Sequence, residues 1–381
     1  METGFLALVL HAHLPFVRHP ENDRYLEERW LFEAITETYL PLLAVFNQLV
    51  DDGVDFRITM SWSPTLLAMV TDELLQERYS AHLHKLIELT EREQARTKAE
   101  PEQLALSRMY QERLIDLQQL YMDCQRDITK PFRALQDLGV LELITASATH
   151  AFLPYVKTRE ALEAQVETAA VEYERHFGRR PAGIWLPECA YKPGIDEALA
   201  KSGFTYFFVD THGLDHAVPR PLHGVYAPIV TDAGTAVFAR DKESSVQVWS
   251  SAEGYPGDHN YREYYRDVGY DLDFNYIQPY IHPDGIRINT GLKYYRITGS
   301  EPKELYNPEW ALESAGRHAS HFIARRAQQI DSLREWMDRP PIIVAPYDAE
   351  LFGHWWYEGP QWIGNVCRQL FFDQTAIRMI T

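Results

Sequence analysis

The sequence predicts an α/β fold, a barrel of parallel strands alternating with helices. Three observations predict it. Six apolar runs along the chain each end abruptly in polar or ionisable residues. Helical patterns lie between several of these runs, the alternation that puts parallel strands in one sheet and helices on its faces. The side chains capable of chemistry gather where the runs stop, at the carboxyl ends of the strands, where a β/α barrel carries its site.

The first run, residues 4–10, is continuously apolar and reads as a strand buried on both faces. It empties into His11-Ala12-His13-Leu14-Pro15, where the proline stops the ladder. Residues 55–60 lead to Ser61-Trp62-Ser63-Pro64, 141–146 to Ser147-Ala148-Thr149-His150, and 183–186 to Pro187-Glu188-Cys189. Residues 205–209 lead to Asp210-Thr211-His212-Gly213, and 341–346 to Tyr347-Asp348. Helical patterning covers 31–51, 65–77, 102–138, 159–177, 194–201, 308–337 and 361–372. Residues 65–138 hold more helix than one crossover needs, and 92–103 within them are strongly charged, which predicts an inserted helical hairpin after the second strand. Residues 254–307 are rich in Tyr, Asp, Pro and Gly with no clear period, a long loop region of the kind that is functional or disordered in compact domains.

Composition narrows the function. The chain has 381 residues, 45% hydrophobic and 24% charged, the balance of a globular protein with one large domain or two medium ones. Lys plus Arg is 37 against 55 Asp plus Glu, a formal charge of −18. Such a surface repels phosphate backbones and anionic lipid, which argues against nucleic-acid and membrane partners. Cys124, Cys189 and Cys367 form no C-x-x-C pair, so free thiols in a reducing compartment are expected. The acidic start and the short apolar run after it make neither a signal peptide nor a membrane span, so the expected location is cytoplasmic. The 22 Tyr and 9 Trp are a surplus that suits surfaces meeting sugars, because each combines a flat apolar face with a polar tip.

Two carboxylates stand out. Glu188 and Asp348 each end a strand among aromatic residues, far apart in sequence, and a closed barrel would bring them together. Low local polarity raises a carboxyl pKa, and a carboxyl pair about 5–5.5 Å apart is what retaining glycosyl transfer requires. The plainer alternative is two surface-loop acids or buried ion pairs. His11 and His13, two apart on one strand face, together with His150 allow three readings: zinc ligands, contacts to sugar hydroxyls, or satisfied core histidines. Sugar contact fits best, because no second short-spaced ligand pair accompanies them. Trp30, Trp62, Trp249, Trp355 and Trp356 are platform candidates, although most tryptophans in any chain are core. Trp355 and Trp356 cannot both face one way if extended, so one should pack and the other line a cleft. Arg240 could grip hydroxyls or a carboxylate, and Gly257 would admit backbone close to a ligand. No phosphate-binding glycine loop and no G-x-S-x-G elbow is present.

Three of these segments carry a resemblance. Residues 11–15, 185–191 and 347–356 closely resemble signature segments of glycoside hydrolase family 57, and residues 146–150 and 247–250 are similar to those of its 1,4-α-glucan branching enzymes. The resemblance runs from about residue 4 to 372. It implies an incomplete (β/α)7 barrel with an inserted helical hairpin, the catalytic part covering residues 1–357. It also implies retaining chemistry without a metal or other cofactor, with Glu188 as nucleophile, Asp348 as acid/base, and Arg240 and Gly257 in contact with substrate. Branching enzymes of the family continue into a C-terminal helical domain, so residues 358–381 are expected to be the start of that region, most of it missing. The expected function is therefore branching of α-glucan such as amylose or glycogen, with α-1,4 links cut and α-1,6 links made. The alternatives are an α-amylase or 4-α-glucanotransferase of the same family, a catalytically silent glucan-binding homologue, and a zinc-dependent sugar deacetylase or mannosidase on a related barrel.

Overall fold

The computed structural model of the chain describes residues 3–22, 25–250 and 253–381. Among the described residues nine strands join one sheet: β1 (Gly4–Ala12), β2 (Ile58–Trp62), β3 (Leu141–Ala146), β4 (Gly183–Trp185), β5 (Tyr206–Val209), β6 (Ile229–Val230), β7 (Ala236–Ala239), β8 (Ile342–Asp348) and β9 (Ile377–Met379). Their spatial order is β6-β7-β5-β4-β3-β2-β1-β8, with β9 on the first residues of β1. The seven from β7 to β8 are all parallel to their neighbours, and β6 alone runs antiparallel, against β7. β7 and β8 share no ladder, but two backbone bonds bridge the gap between the sheet's ends. Asp241 N–H donates to the Val344 carbonyl at 2.8 Å, and Ile342 N–H to the Tyr226 carbonyl at 2.9 Å. The sheet thus curls into an incomplete (β/α)7 barrel, the expected fold class.

All six expected strands are present, with shifted ends. Residues 55–57 lie before β2, and β8 continues as far as Asp348 itself. The sequence hid three short strands, β6, β7 and β9; of these β7 completes the parallel barrel wall, a four-residue Ala-Val-Phe-Ala segment too short to show a period, which follows the Thr231–Thr235 turn. β1 explains how the barrel sorts its side chains. Leu6, Leu8 and Leu10 pack outward under the helices, while Ala7 and Val9 face inward with Ile144, Ala146, Trp185 and Val344. A strand alternates faces every residue, so His11 continues the inward row of β1 and Asp348 that of β8.

The helix after β1 runs as Glu28–Ala34, a π-helical turn Ile35–Tyr39, and Leu40–Asp51. Between β2 and β3 stand Pro64–Val70, Glu73–Arg96, Pro101–Asp123 and Thr129–Asp137. The two long members pack antiparallel through Leu75, Tyr79, Leu83, Leu86 and Leu89 on one and Leu106, Tyr110, Leu114, Leu117 and Tyr121 on the other. Ser63 and Asp72 cap two of these helices by accepting from the Leu66 and Leu75 N–H groups, each worth about 1 kcal/mol. Residues 254–307, which show no period, are ordered by polar bonds instead. Buried Asp267 accepts from the N–H groups of Gly269, Thr290 and Gly291, and Tyr276 and Tyr294 donate to Glu93 on the long helix beneath. Residues 358–381 stay on the barrel: helix Gly359–Phe372 packs against helix Pro308–Arg334, and β9 then pairs with β1. Among the described residues no helix is long and apolar enough to cross a membrane.

Candidate active site

The carboxyl ends of the strands enclose a cavity of about 420 Å³. Its walls carry His11, His13, His150, Glu188, Arg240, Trp249, Asp348 and Trp355 from the expected set. Sequence reasoning did not single out the other lining residues, Leu14, Trp185, Cys189, Asp210, Glu350 and Leu351. Asp210 had a visible signal, since it ends a strand run, and Glu350 lies two residues past Asp348 in the same motif. Gly257 is in the short turn Tyr255–Gly257, beside helix Pro308–Arg334 through the Tyr255–His321 hydrogen bond, and is not among the lining residues. Trp62 is core, fully buried against Tyr39 and Phe132. Of the Trp pair, Trp356 is 1% exposed and packed, while Trp355 is 52% exposed and lines the cavity, as the spacing requires.

Glu188 stands on a tight turn, Pro187–Cys189, closed by the Cys189 N–H to Leu186 carbonyl bond at 2.8 Å. Its backbone is left-handed, φ 58°, as are Cys189 at 52° and His150 at 56°. Each such residue costs on the order of 1 kcal/mol, and three of them on one cavity wall mark a place where geometry is held against local preference. The turn leaves the Glu188 side chain exposed to the cavity. Asp348 differs: it ends β8 in ordinary extended backbone and is half-buried. Burial raises its pKa, and the charge of Glu188 adds to this against the pull of Arg240. Arg240, just past β7, is fixed by an N–H bond to the Pro346 carbonyl at 2.9 Å and lies 3.8 Å from Asp210.

The three histidines form a stack. His13 and His150 lie 3.6 Å apart at 11°, His11 is 5.1 Å from His150, and Trp185 backs His11 at 4.7 Å. Burial lowers all three pKa values, with their mutual repulsion adding at His11 and His13: His13 falls to about 3, His150 to about 4, and His11 well below its ordinary value. They are neutral imidazoles at neutral pH. His11 Nδ1 shares a hydrogen bond with Ser61 at 3.1 Å and His13 Nδ1 with Ser63 at 2.9 Å, whereas His11 Nε2, His150 Nδ1 and Arg240 Nε make no hydrogen bond within the protein. Imidazole lone pairs lie in the ring plane, so stacked rings hold them side by side instead of converging on an ion. Among the described residues no group of three or more His, Cys, Asp or Glu is placed to hold a metal.

A second cavity of about 400 Å³ adjoins the first and shares Leu14, Glu350 and Trp355 with it. Trp30, 48% exposed, lines this one. Tyr264 stacks on Trp355 at 4.4 Å and 22°, holding the shared tryptophan in place.

The chain that folds around this cavity of two carboxyls, a neutral histidine stack and flanking tryptophans has known relatives. The profile of glycosyl hydrolase family 57 matches residues 7–381. The chain belongs to this family. A 1,4-alpha-glucan branching enzyme of Thermococcus kodakarensis is 35% identical over 401 residues, covering 97% of this chain and 56% of that protein. The family 57 chain therefore spans little more than half the length of that relative. Among solved structures it is similar to the alpha-amylase AmyC of Thermotoga maritima, at 45% identity and a TM-score of 0.95, covering 99% of this chain and 73% of that one. It is also similar to a GH57-type branching enzyme of Pyrococcus horikoshii, at 34% identity and 0.87, covering 99% and 69%.

Proposed function

We propose that this family 57 protein acts on α-1,4-linked glucan by retaining glycosyl transfer, and that its main product is the α-1,6 branch. The observation that carries the reading is the meeting of Glu188, just past β4, and Asp348, at the end of β8, on the wall of one cavity. A carboxylate oxygen of Glu188 attacks C1 of the donor glucan as the C1–O4 bond breaks, and Asp348 gives its proton to the departing O4. The 6-hydroxyl of an acceptor then attacks C1, its proton passes to Asp348, and Glu188 is released. The exposed carboxyl is the attacker and the enclosed one, whose pKa burial raises, is the proton donor. In this reading Arg240, His11, His13 and His150 bind sugar hydroxyls around the reacting ring, with Trp249 and Trp355 as platforms. Trp30 and the second cavity hold glucan beyond it, and Gly257 lies outside the contact set. The described residues up to 357 form the catalytic barrel, to which helix Gly359–Phe372 and β9 add. Three buried free thiols fit a reducing, cytoplasmic setting.

Hydrolysis is the second reading, favoured by the 45% identity to an alpha-amylase. Both reactions use the same two carboxyls, and they part only over whether water or a sugar hydroxyl takes the intermediate. Incubation with amylose followed by iodine staining and linkage analysis separates them. New α-1,6 links without new reducing ends support branching. New reducing ends alone support hydrolysis, and no change in the glucan removes both.

A further inference from the structure

Glu350 has no part in the scheme above. It lies on the turn Ala349–Leu351, just past Asp348, and lines both cavities, so it stands at the waist where they meet. Two donors reach its carboxyl, the Tyr39 hydroxyl and the His13 backbone N–H at 3.3 Å, and both bond the same oxygen, Oε1. An oxygen that accepts two hydrogen bonds has no lone pair left for a proton, so a protonated Glu350 carries its hydrogen on Oε2.

The fold holds this arrangement by a specific device. Tyr39 ends the π-helical turn Ile35–Tyr39, which interrupts the regular winding of the long helix. One extra residue in the turn re-aims the side chains around it, and such turns recur at functional sites. Glu37, from the same turn, bonds His354 Nδ1 at 2.5 Å. Gly353 has φ 109°, and a Cβ there would lie 1.8 Å from the Glu37 carbonyl oxygen, so only glycine lets the two backbones touch. The π-turn therefore grips the segment after β8 at two points, Tyr39 to Glu350 and Glu37 to His354.

We propose that Glu350 is a binding residue of the cleft that works as a neutral carboxylic acid, donating from Oε2 to a sugar oxygen at the waist, with Tyr39 as its positioning residue. This rests on the cavity being an α-glucan site. The neutral state has a physical cause: burial pushes the Glu350 pKa up to about 8, with the charge of Asp348 adding, against the pull of the Tyr39 bond. The charged and titratable groups that face it belong to every neighbouring wall. Across the first cavity are Asp348, Glu188, Asp210 and Arg240, with the three imidazoles already neutral. Across the second are Arg29, Glu33, Arg287, His354 and the hydroxyls of Tyr264 and Tyr270. Glu33 is pushed up to about 7, mainly by burial, so it titrates near the same range and a substitution must assign the effect.

The experiment is maltoheptaose binding by calorimetry between pH 6 and 9.5, on the parent, Glu350→Gln, Glu350→Ala and Tyr39→Phe. If the ligand needs the protonated acid, the parent's affinity falls by about tenfold per pH unit above the Glu350 pKa. In Glu350→Gln the amide takes the place of the acid, donating where Oε2 did, so affinity at pH 6.5 stays within about threefold of the parent and the alkaline fall disappears. Glu350→Ala binds at least about tenfold more weakly at pH 6.5. Tyr39→Phe removes a bond that favours the anion, so the alkaline fall moves to higher pH, a shift that loosened packing alone would not produce. A parent that binds but keeps its alkaline fall in Glu350→Gln overturns the proposal and leaves the glucan reading standing. So does a Glu350→Gln variant as weak as Glu350→Ala. A parent that binds no maltoheptaose at any pH overturns both. If Glu350→Ala does not fold, the parent and Glu350→Gln profiles decide alone.

Discussion

The two carboxyls of the site are held in opposite ways. Glu188 is presented on a strained turn, left-handed at φ 58° and followed by a second left-handed residue, with its side chain open to the cavity. Asp348 ends a regular seven-residue strand in relaxed backbone, half-buried, with its pKa raised by that burial. In the proposed mechanism the difference separates two jobs. A nucleophile must project to within bonding distance of C1, and a short strained turn gives it that reach at a cost in local conformational energy. A proton donor must hold its proton until the leaving oxygen arrives, and enclosure does that.

The sharpest way to break the comparison is at Glu188. Glu188→Gln keeps the shape of the turn but removes the anion, so glucan turnover should fall by about 10³-fold or more with the melting temperature unchanged. Near-parental turnover would remove Glu188 from the mechanism. A smaller effect is expected on the histidine wall. His13→Ala should weaken maltooligosaccharide binding by about 1–3 kcal/mol, through the loss of one or two hydrogen bonds, as read by calorimetry.

The same wall carries a pH signature. His13 and His150 are held neutral down to about 3 and about 4 in the folded protein, while in the unfolded chain they protonate below 6.5. Between those values the unfolded state binds more protons, so folding stability should drop as pH falls from 6.5 towards 4. His150→Asn, which tolerates the left-handed backbone at that position, should flatten this drop in melting temperature between pH 7 and 4.5. The smallest expected effect is that of a chelator. Stacked imidazoles do not aim their lone pairs at one point, so EDTA should change neither melting temperature nor maltooligosaccharide affinity. One equivalent of zinc, lost with activity on chelation and regained on readdition, would favour the deacetylase chemistry instead.

The regions that were legible in the sequence share a cause. β1, β4, β5 and β8 are runs whose burial on both faces leaves a mainly apolar signature, β3 keeps one despite Glu142 and Thr145, and Glu188 and Asp348 sit where two of those runs stop. What was hidden depends on contacts that no local pattern encodes. β7 is strand only because β5 lies beside it. The π-turn at Ile35–Tyr39 keeps a helical apolar pattern, so nothing in the sequence marks where the winding changes. The second cavity and Glu350 at its mouth exist because the 254–307 region folds over the long helix, and tyrosine–carboxylate bonds, not periodicity, place it there.

The central claim, that Glu188 carries the sugar and Asp348 the proton, is tested most directly by trapping the intermediate in Asp348→Asn. An activated donor such as an α-maltosyl fluoride has a leaving group that needs no proton, so the first step should survive while the second slows for want of a base. Digestion and mass spectrometry should then find a maltosyl ester on the peptide that contains Glu188. An ester on any other residue, or an Asp348→Asn variant that turns over the fluoride and native glucan as fast as the parent, would contradict the account.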